Sequence, residues 1–121
     1  VIDDDVEIGA LCTIDAGTLS PTRVGAESKL DAQIHVGHNV QIGRCCLIAA
    51  QSGFAGSVVL EDGVQVGGQV GVKDHVRVGA GARLAAKSGV IADVPPGATV
   101  AGFPAVPKAR WLRAMARLLR R

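Results

Sequence analysis

The amino-acid sequence predicts an all-β solenoid: a left-handed parallel β-helix of hexapeptide repeats with one short C-terminal α-helix. Three observations carry this expectation. Stepping six residues at a time from Val24 lands on Leu30, Val36, Ile42, Ile48, Phe54, Leu60, Val66, Val72, Val78, Leu84 and Val90, all bulky and apolar. Two places before each landing stands a small or β-branched residue, from Thr22 and Ser28 through to Ala82 and Ser88. Aromatic residues make up only 2% of the chain, too few for an ordinary globular core but enough for one built from ladders of Val, Ile and Leu.

A period of six fits neither a helix of about 3.6 residues per turn nor a plain strand of period two. It fits a coil in which each hexad supplies one short strand and one corner, with three hexads completing a triangular turn. Side chains alternate along a strand, so the bulky residue and the small one two places earlier both point inward. Residues eighteen apart then lie one above the other, about 4.8 Å apart.

At 121 residues the chain is one repeat array. There is no signal peptide or transmembrane run in the sequence. Val1 and Ile2 already fall in step with Ile8 and Ile14, so the chain opens in mid-repeat and reads as the C-terminal portion of a longer protein. The three cysteines are Cys12, Cys45 and Cys46. An odd number argues against a disulfide framework, and Cys12 and Cys46 fall on small inward positions, as buried thiols in a reducing cytoplasm would.

Taken in order, residues 1–94 are the β-helix. Val1 to Ile14 form the first coil, with Asp3, Asp4, Asp5 and Glu7 on its outside as a solvated acidic run. From Ile14 to Val24 the step is ten instead of six, so about four residues around Thr18 to Pro21 bulge out as a loop. Loops that leave a solenoid often line a binding site. Across this slip the offset becomes twenty-two, which places Ala16 beneath His38.

His35 and His38 fall outside the inward set and are free to meet solvent or a ligand. Gly56 lies eighteen after His38 and directly above it, where the absence of a side chain lets another molecule approach the backbone. Asp74 continues that column, with His75 beside it. Pro95 and Pro96 lack the N–H that a ladder needs and mark the end of the β-helix. Residues 95–108 are a capping loop in which Gly102, Phe103 and Pro104 fold over the last coil. Residues 109–121 form a basic amphipathic helix, with Trp111, Leu112, Met115, Leu118 and Leu119 at one-face spacing. From Lys108 onward there are six basic residues and no acidic one, against seven basic and eleven acidic upstream, although the net charge is only +2. Such a face suits the chain's own β-helix, a sister subunit or an acidic partner. Nucleic acid is not expected, since aromatic residues do not interleave with the basic ones.

Acyl transfer to an amine needs a base and donors for the tetrahedral oxyanion. A histidine on a rigid coil with a glycine N–H above it meets both requirements. The runs VEIGALCTIDAGTL, LDAQIHVGHNVQIG, IAAQSGFAGS, VGGQVGV and DVPPGATVAGFPA, with a terminal W-x-R helix, resemble the UDP-3-O-(3-hydroxyacyl)glucosamine N-acyltransferases of lipid A biosynthesis in Gram-negative bacteria. The resemblance covers essentially the whole chain.

It implies that His38 is the general base, that the Gly56 N–H forms the oxyanion hole, and that His75 assists near the acyl chain or phosphopantetheine. It also implies Asp31 near the sugar and Asn39 beside the base, with His35 a further substrate contact. The donor would be acyl carrier protein bearing a phosphopantetheine-linked acyl group, with no other cofactor and no metal. The acceptor would be a UDP-sugar lipid, the assembly a homotrimer and the location cytoplasmic. The basic helix would contact the acidic carrier protein.

Two positions depart from the family pattern: Ala16, where the family often has Arg, and Ala32, where Asn is common. The family's N-terminal uridine-binding domain has no counterpart in this sequence. Three other readings stand beside this one. A CoA-dependent acetyltransferase shares the GFPA stretch. A γ-type carbonic anhydrase shares the β-helix, but His35 and His38 form HxxH where HxxxxH is expected and zinc needs about three protein ligands. A non-catalytic trimeric scaffold is the third.

Overall fold

The computed structural model describes residues 1–120. All the apolar landings from Val24 to Val90 are buried, and so are all the smaller residues two places before them, from Thr22 to Ser88. The six-residue period therefore specifies the core completely over this stretch. Full burial of each Val, Leu or Ile contributes roughly 1.5–3 kcal/mol, and the coils stack these contributions along one axis.

Three flat faces enclose this core. The first stacks Glu7–Ile8, Lys29–Leu30, Leu47–Ile48, Gln65–Val66, Arg83–Leu84 and Thr99–Ala101 in parallel and ends with Val106–Pro107 antiparallel. The second stacks Thr13–Ile14, His35–Val36, Gly53–Phe54, Gly71–Val72 and Gly89–Val90. The third stacks Arg23–Val24, Gln41–Ile42, Val59–Leu60 and Arg77–Val78. Thr13 pairs with His35 and His35 with Gly53, so the offset of twenty-two followed by eighteen holds as read from the sequence. Leu19, in the loop after Ile14, is fully exposed.

Corners turn through the left-handed backbone region, and most of the residues there are not glycine. Gln33, Gln51 and Gln69 have φ of 61°, 64° and 57°. Their amides form a ladder: Gln51 Nε2 donates to Gln33 Oε1 at 2.9 Å and Gln69 Nε2 to Gln51 Oε1 at 2.7 Å. Left-handed backbone costs a non-glycine residue about 1–2 kcal/mol, and these hydrogen bonds offset part of it. Buried hydroxyls are also satisfied: Ser28 Oγ donates to the Gly43 carbonyl at 2.8 Å, and Ser52 Oγ to that of Gly67 at 2.9 Å.

The two ends differ from expectation. Cys12 is only half-buried, and Ile2 and Ile8 are exposed. At the other end the proline pair does not stop the ladder. Thr99–Ala101, within the segment read as a capping loop, pairs in parallel with Arg83–Leu84, since Pro95 and Pro96 sit in the turn before it. Phe103 then folds back over Gly89, as the sequence suggests. The helix α1 runs Lys108–Leu118, and Trp111 lies on Gly102. Trp111 and Met115 are half-buried while Leu112, Leu118 and Leu119 stay exposed, so the apolar face of α1 is covered only in part by its own β-helix. Among the described residues no helix is long and apolar enough to cross a membrane.

Candidate active site

The corner between the second and third faces holds His38, Gly56 and Asp74, the column of candidate residues read from the sequence. Here Gly37, His38 and Asn39 turn the chain from His35–Val36 to Gln41–Ile42. Ile34 and Val40, both fully buried, hold the two ends of the turn in the core. His38 therefore projects outward from a rigid support and is exposed. The coil above supplies Gly56, and the imidazole rests on it: a Cβ built on Gly56 would lie 2.5 Å from both Nε2 and Cε1 of His38. Only glycine leaves room for the ring in this position.

The Gly56 N–H has no protein acceptor among the described residues. Three equivalent corner N–H groups are capped by carboxylates, Ala32 by Asp31 Oδ1 at 2.8 Å, Arg44 by Asp62 Oδ1 at 2.8 Å, and Ala80 by Glu61 Oε1 at 3.0 Å, whereas those of Ala50, Gly68 and Ala86 are uncapped like that of Gly56. What sets the Gly56 corner apart is that its free donor belongs to the residue on which Nε2 of His38 rests. An unpaired N–H next to a proton acceptor is the minimum equipment for general-base attack on a carbonyl.

Asn39 stands beside the ring, with Oδ1 3.1 Å from His38 Nδ1. His35 is committed locally: Nδ1 lies 2.7 Å from Thr13 Oγ1, and Nε2 lies 3.7 Å from Asp15 Oδ2. His75 is two coils above the level of His38, at the same corner. Its backbone N–H donates to the Gly56 carbonyl at 3.1 Å, and its exposed ring sits 3.9 Å from Asp74 Oδ2. Asp31 is not brought to His38 within one chain. It occupies the neighbouring corner, where its side chain caps Ala32 and its carbonyl accepts from Cys12 Sγ at 3.0 Å. An open trough over the first face, lined by Lys29, Leu47, Gln65 and Arg83 together with Asp31, contains none of the histidines.

Sequence arithmetic placed Ala16 beneath His38, and the register of the second face agrees. What it missed were Thr13 and Asp15 against His35, and Thr18, Ser20 and Thr22 around Asn39. The ten-residue step signalled a loop there, but nothing in it identified the loop's partners. Among the described residues, no group of three or more His, Cys, Asp and Glu is arranged to hold a metal ion.

The parallel β-helix is the fold of the hexapeptide-repeat acyltransferases. The UDP-N-acetylglucosamine acyltransferase of Francisella novicida superposes on 94% of this chain, and on 44% of its own, with a TM-score of 0.85 at 30% identity. No family model matches the chain. Curated relatives named UDP-3-O-acylglucosamine N-acyltransferase match it nearly end to end. The one from Methylobacterium sp. (strain 4-46) is 52% identical over 120 residues, and the one from Caulobacter sp. (strain K31) is 48% identical over 121. The chain is a homologue of these N-acyltransferases and spans about a third of their length, 34% and 36% respectively.

Proposed function

We propose that this chain carries the acyl-transfer site of a UDP-3-O-acylglucosamine N-acyltransferase, with a (R)-3-hydroxyacyl group on acyl carrier protein as donor. One observation carries the reading: Nε2 of His38 lies against Gly56, whose N–H is unpaired. The glucosamine 2-amino group attacks the thioester carbonyl while His38 takes the proton that the nitrogen loses. Negative charge collects on the carbonyl oxygen, where the Gly56 N–H donates to it. Collapse re-forms the carbonyl, breaks the carbon–sulfur bond and expels the phosphopantetheine thiolate, which takes the proton back from His38. An amide and a free thiol result. One preorganised donor of this kind is worth about 10²–10³ in kcat.

His75 and Asp74, higher on the same corner, border the path of the pantetheine arm. The Arg-rich face of α1 suits an acidic carrier protein. Asp31, on the next corner, would reach a sugar held between adjacent copies of a homotrimer, and a cytoplasmic location fits the donor.

The test is N-acylation of UDP-3-O-acylglucosamine by (R)-3-hydroxyacyl carrier protein, comparing the chain with His38→Ala. Turnover that disappears in the variant supports the reading. Turnover with acetyl-CoA and never with carrier protein overturns it in favour of an acetyltransferase. If neither chain turns over, the assay is repeated with the N-terminal part of a curated relative fused ahead of Val1, and continued inactivity of that fusion overturns the reading in favour of a scaffold.

A further inference from the structure

We infer that the loop from Thr18 to Pro21 is a clamp on the side-chain amide of Asn39, and that through Asn39 it keeps the neutral His38 ring protonated on Nδ1, with the Nε2 lone pair turned to Gly56. Asn39 is a positioning residue in this arrangement. The consequence for turnover rests on the proposed base role of His38; the tautomer itself does not.

The argument starts from which atoms can donate. The Asn39 Nδ2 amide donates to the Ser20 carbonyl at 2.8 Å and lies 3.3 Å from Ser20 Oγ. A backbone carbonyl can only accept, so the NH2 end of the amide must face the loop. Oδ1 then has to face the other way, where it accepts from Thr18 Oγ1 at 3.4 Å and meets His38 Nδ1 at 3.1 Å. An amide oxygen can only accept, so Nδ1 is the nitrogen that carries hydrogen in the neutral ring. The remaining nitrogen, Nε2, is the one lying on Gly56.

The loop is itself held in place. Gln41 Nε2 donates to the Pro21 carbonyl at 2.6 Å, and the Asn39 backbone N–H donates to Thr22 Oγ1 at 2.9 Å. Asn39 sits in the left-handed region with φ 62°, which swings its side chain out of the turn and towards the loop. The extra residues thus do something that an uninterrupted six-residue step would not: they place a carbonyl beside the side chain that contacts His38 Nδ1.

The test is nitrogen-15 NMR of the chain with labelled histidine, at a pH where the rings are neutral. The three rings are distinguished by the loss of one signal pair in His38→Ala. The imidazole nitrogens of His38 should appear as a protonated Nδ1 and an unprotonated Nε2. Excising residues 18–21 restores a six-residue step from Ile14 to Val24, so the coil can still close while the clamp is gone. In that variant, and in Asn39→Ala, the pattern should move towards the Nε2–H form that free histidine side chains favour. The N-acylation kcat should fall by roughly tenfold or more with little change in KM. Asn39→Ala decides the matter alone if the excised chain does not fold. A wild-type ring carrying its hydrogen on Nε2, or an unchanged pattern in Asn39→Ala, overturns the inference. Absence of turnover in both the wild-type chain and its N-terminal fusion overturns the acyltransfer reading instead and leaves the NMR comparison decisive.

Discussion

The imidazole of His38 and the backbone of Gly56 share one corner so closely that a methyl group on residue 56 would sit 2.5 Å from Nε2. The neighbour it would meet is the far end of a side chain, so the ring can swing away while the coil stays intact. Gly56→Ala should therefore keep the wild-type circular dichroism spectrum and lose about 10²-fold in kcat, because displacement of a reacting group by about 1 Å costs that much. A Gly56→Ala chain with wild-type turnover would remove this corner from the chemistry.

Phe54 is the largest fully buried side chain, and it stacks between Val36 and Val72 in the second face. Phe54→Ala leaves a cavity that the flanking coils cannot fill without breaking their hydrogen-bond register. Urea unfolding should show a loss of about 3–5 kcal/mol. A loss below about 1 kcal/mol would mean that the coils collapse around the gap.

Glu61 couples stability to acid. Arg77 donates to its Oε2 at 2.9 and 2.6 Å, and the Ala80 N–H donates to Oε1 at 3.0 Å. These contacts, Arg77 foremost, hold its carboxyl below the usual carboxylate range. A lowered folded value means that the stabilisation is present above the ordinary carboxylate titration and disappears as the pH falls through the lowered value. Glu61→Gln should melt earlier than wild type at neutral pH, with the difference closing in strong acid. A gap that widens on acidification would contradict the ion pair.

Two adjacent cysteines should behave oppositely towards a thiol reagent. Burial pushes the Cys46 thiol up and shields it, so it should label only on unfolding. Cys45 is exposed and should label in the native chain, but slowly at neutral pH, because its hydrogen bond to Glu27 Oε2 at 3.3 Å raises its pKa. Glu27→Gln should speed that reaction at neutral pH. Native labelling of Cys46 would show that the core opens on the time scale of the reaction.

The six-residue period alone determined which side chains are buried from Thr22 to Ser88, and counting by eighteen placed Gly56 over His38 and Asp74 above Gly56. That arithmetic works because each coil touches only the coils beside it, so spatial neighbours stand at fixed sequence offsets. Across the break the arithmetic still held with an offset of twenty-two, but inside the inserted loop no offset applies, and tertiary structure decided the rest. The path of the Thr18–Pro21 loop brought Ser20 to Asn39. The seating of the His38 ring on Gly56 put Nε2 against a residue whose N–H is free. The turn at Pro95 and Pro96 let Thr99–Ala101 continue a face that the prolines were expected to end. The helix shows the same limit: its spacing marks an apolar side, but only the position of Gly102 beneath Trp111 settled that this side is half covered.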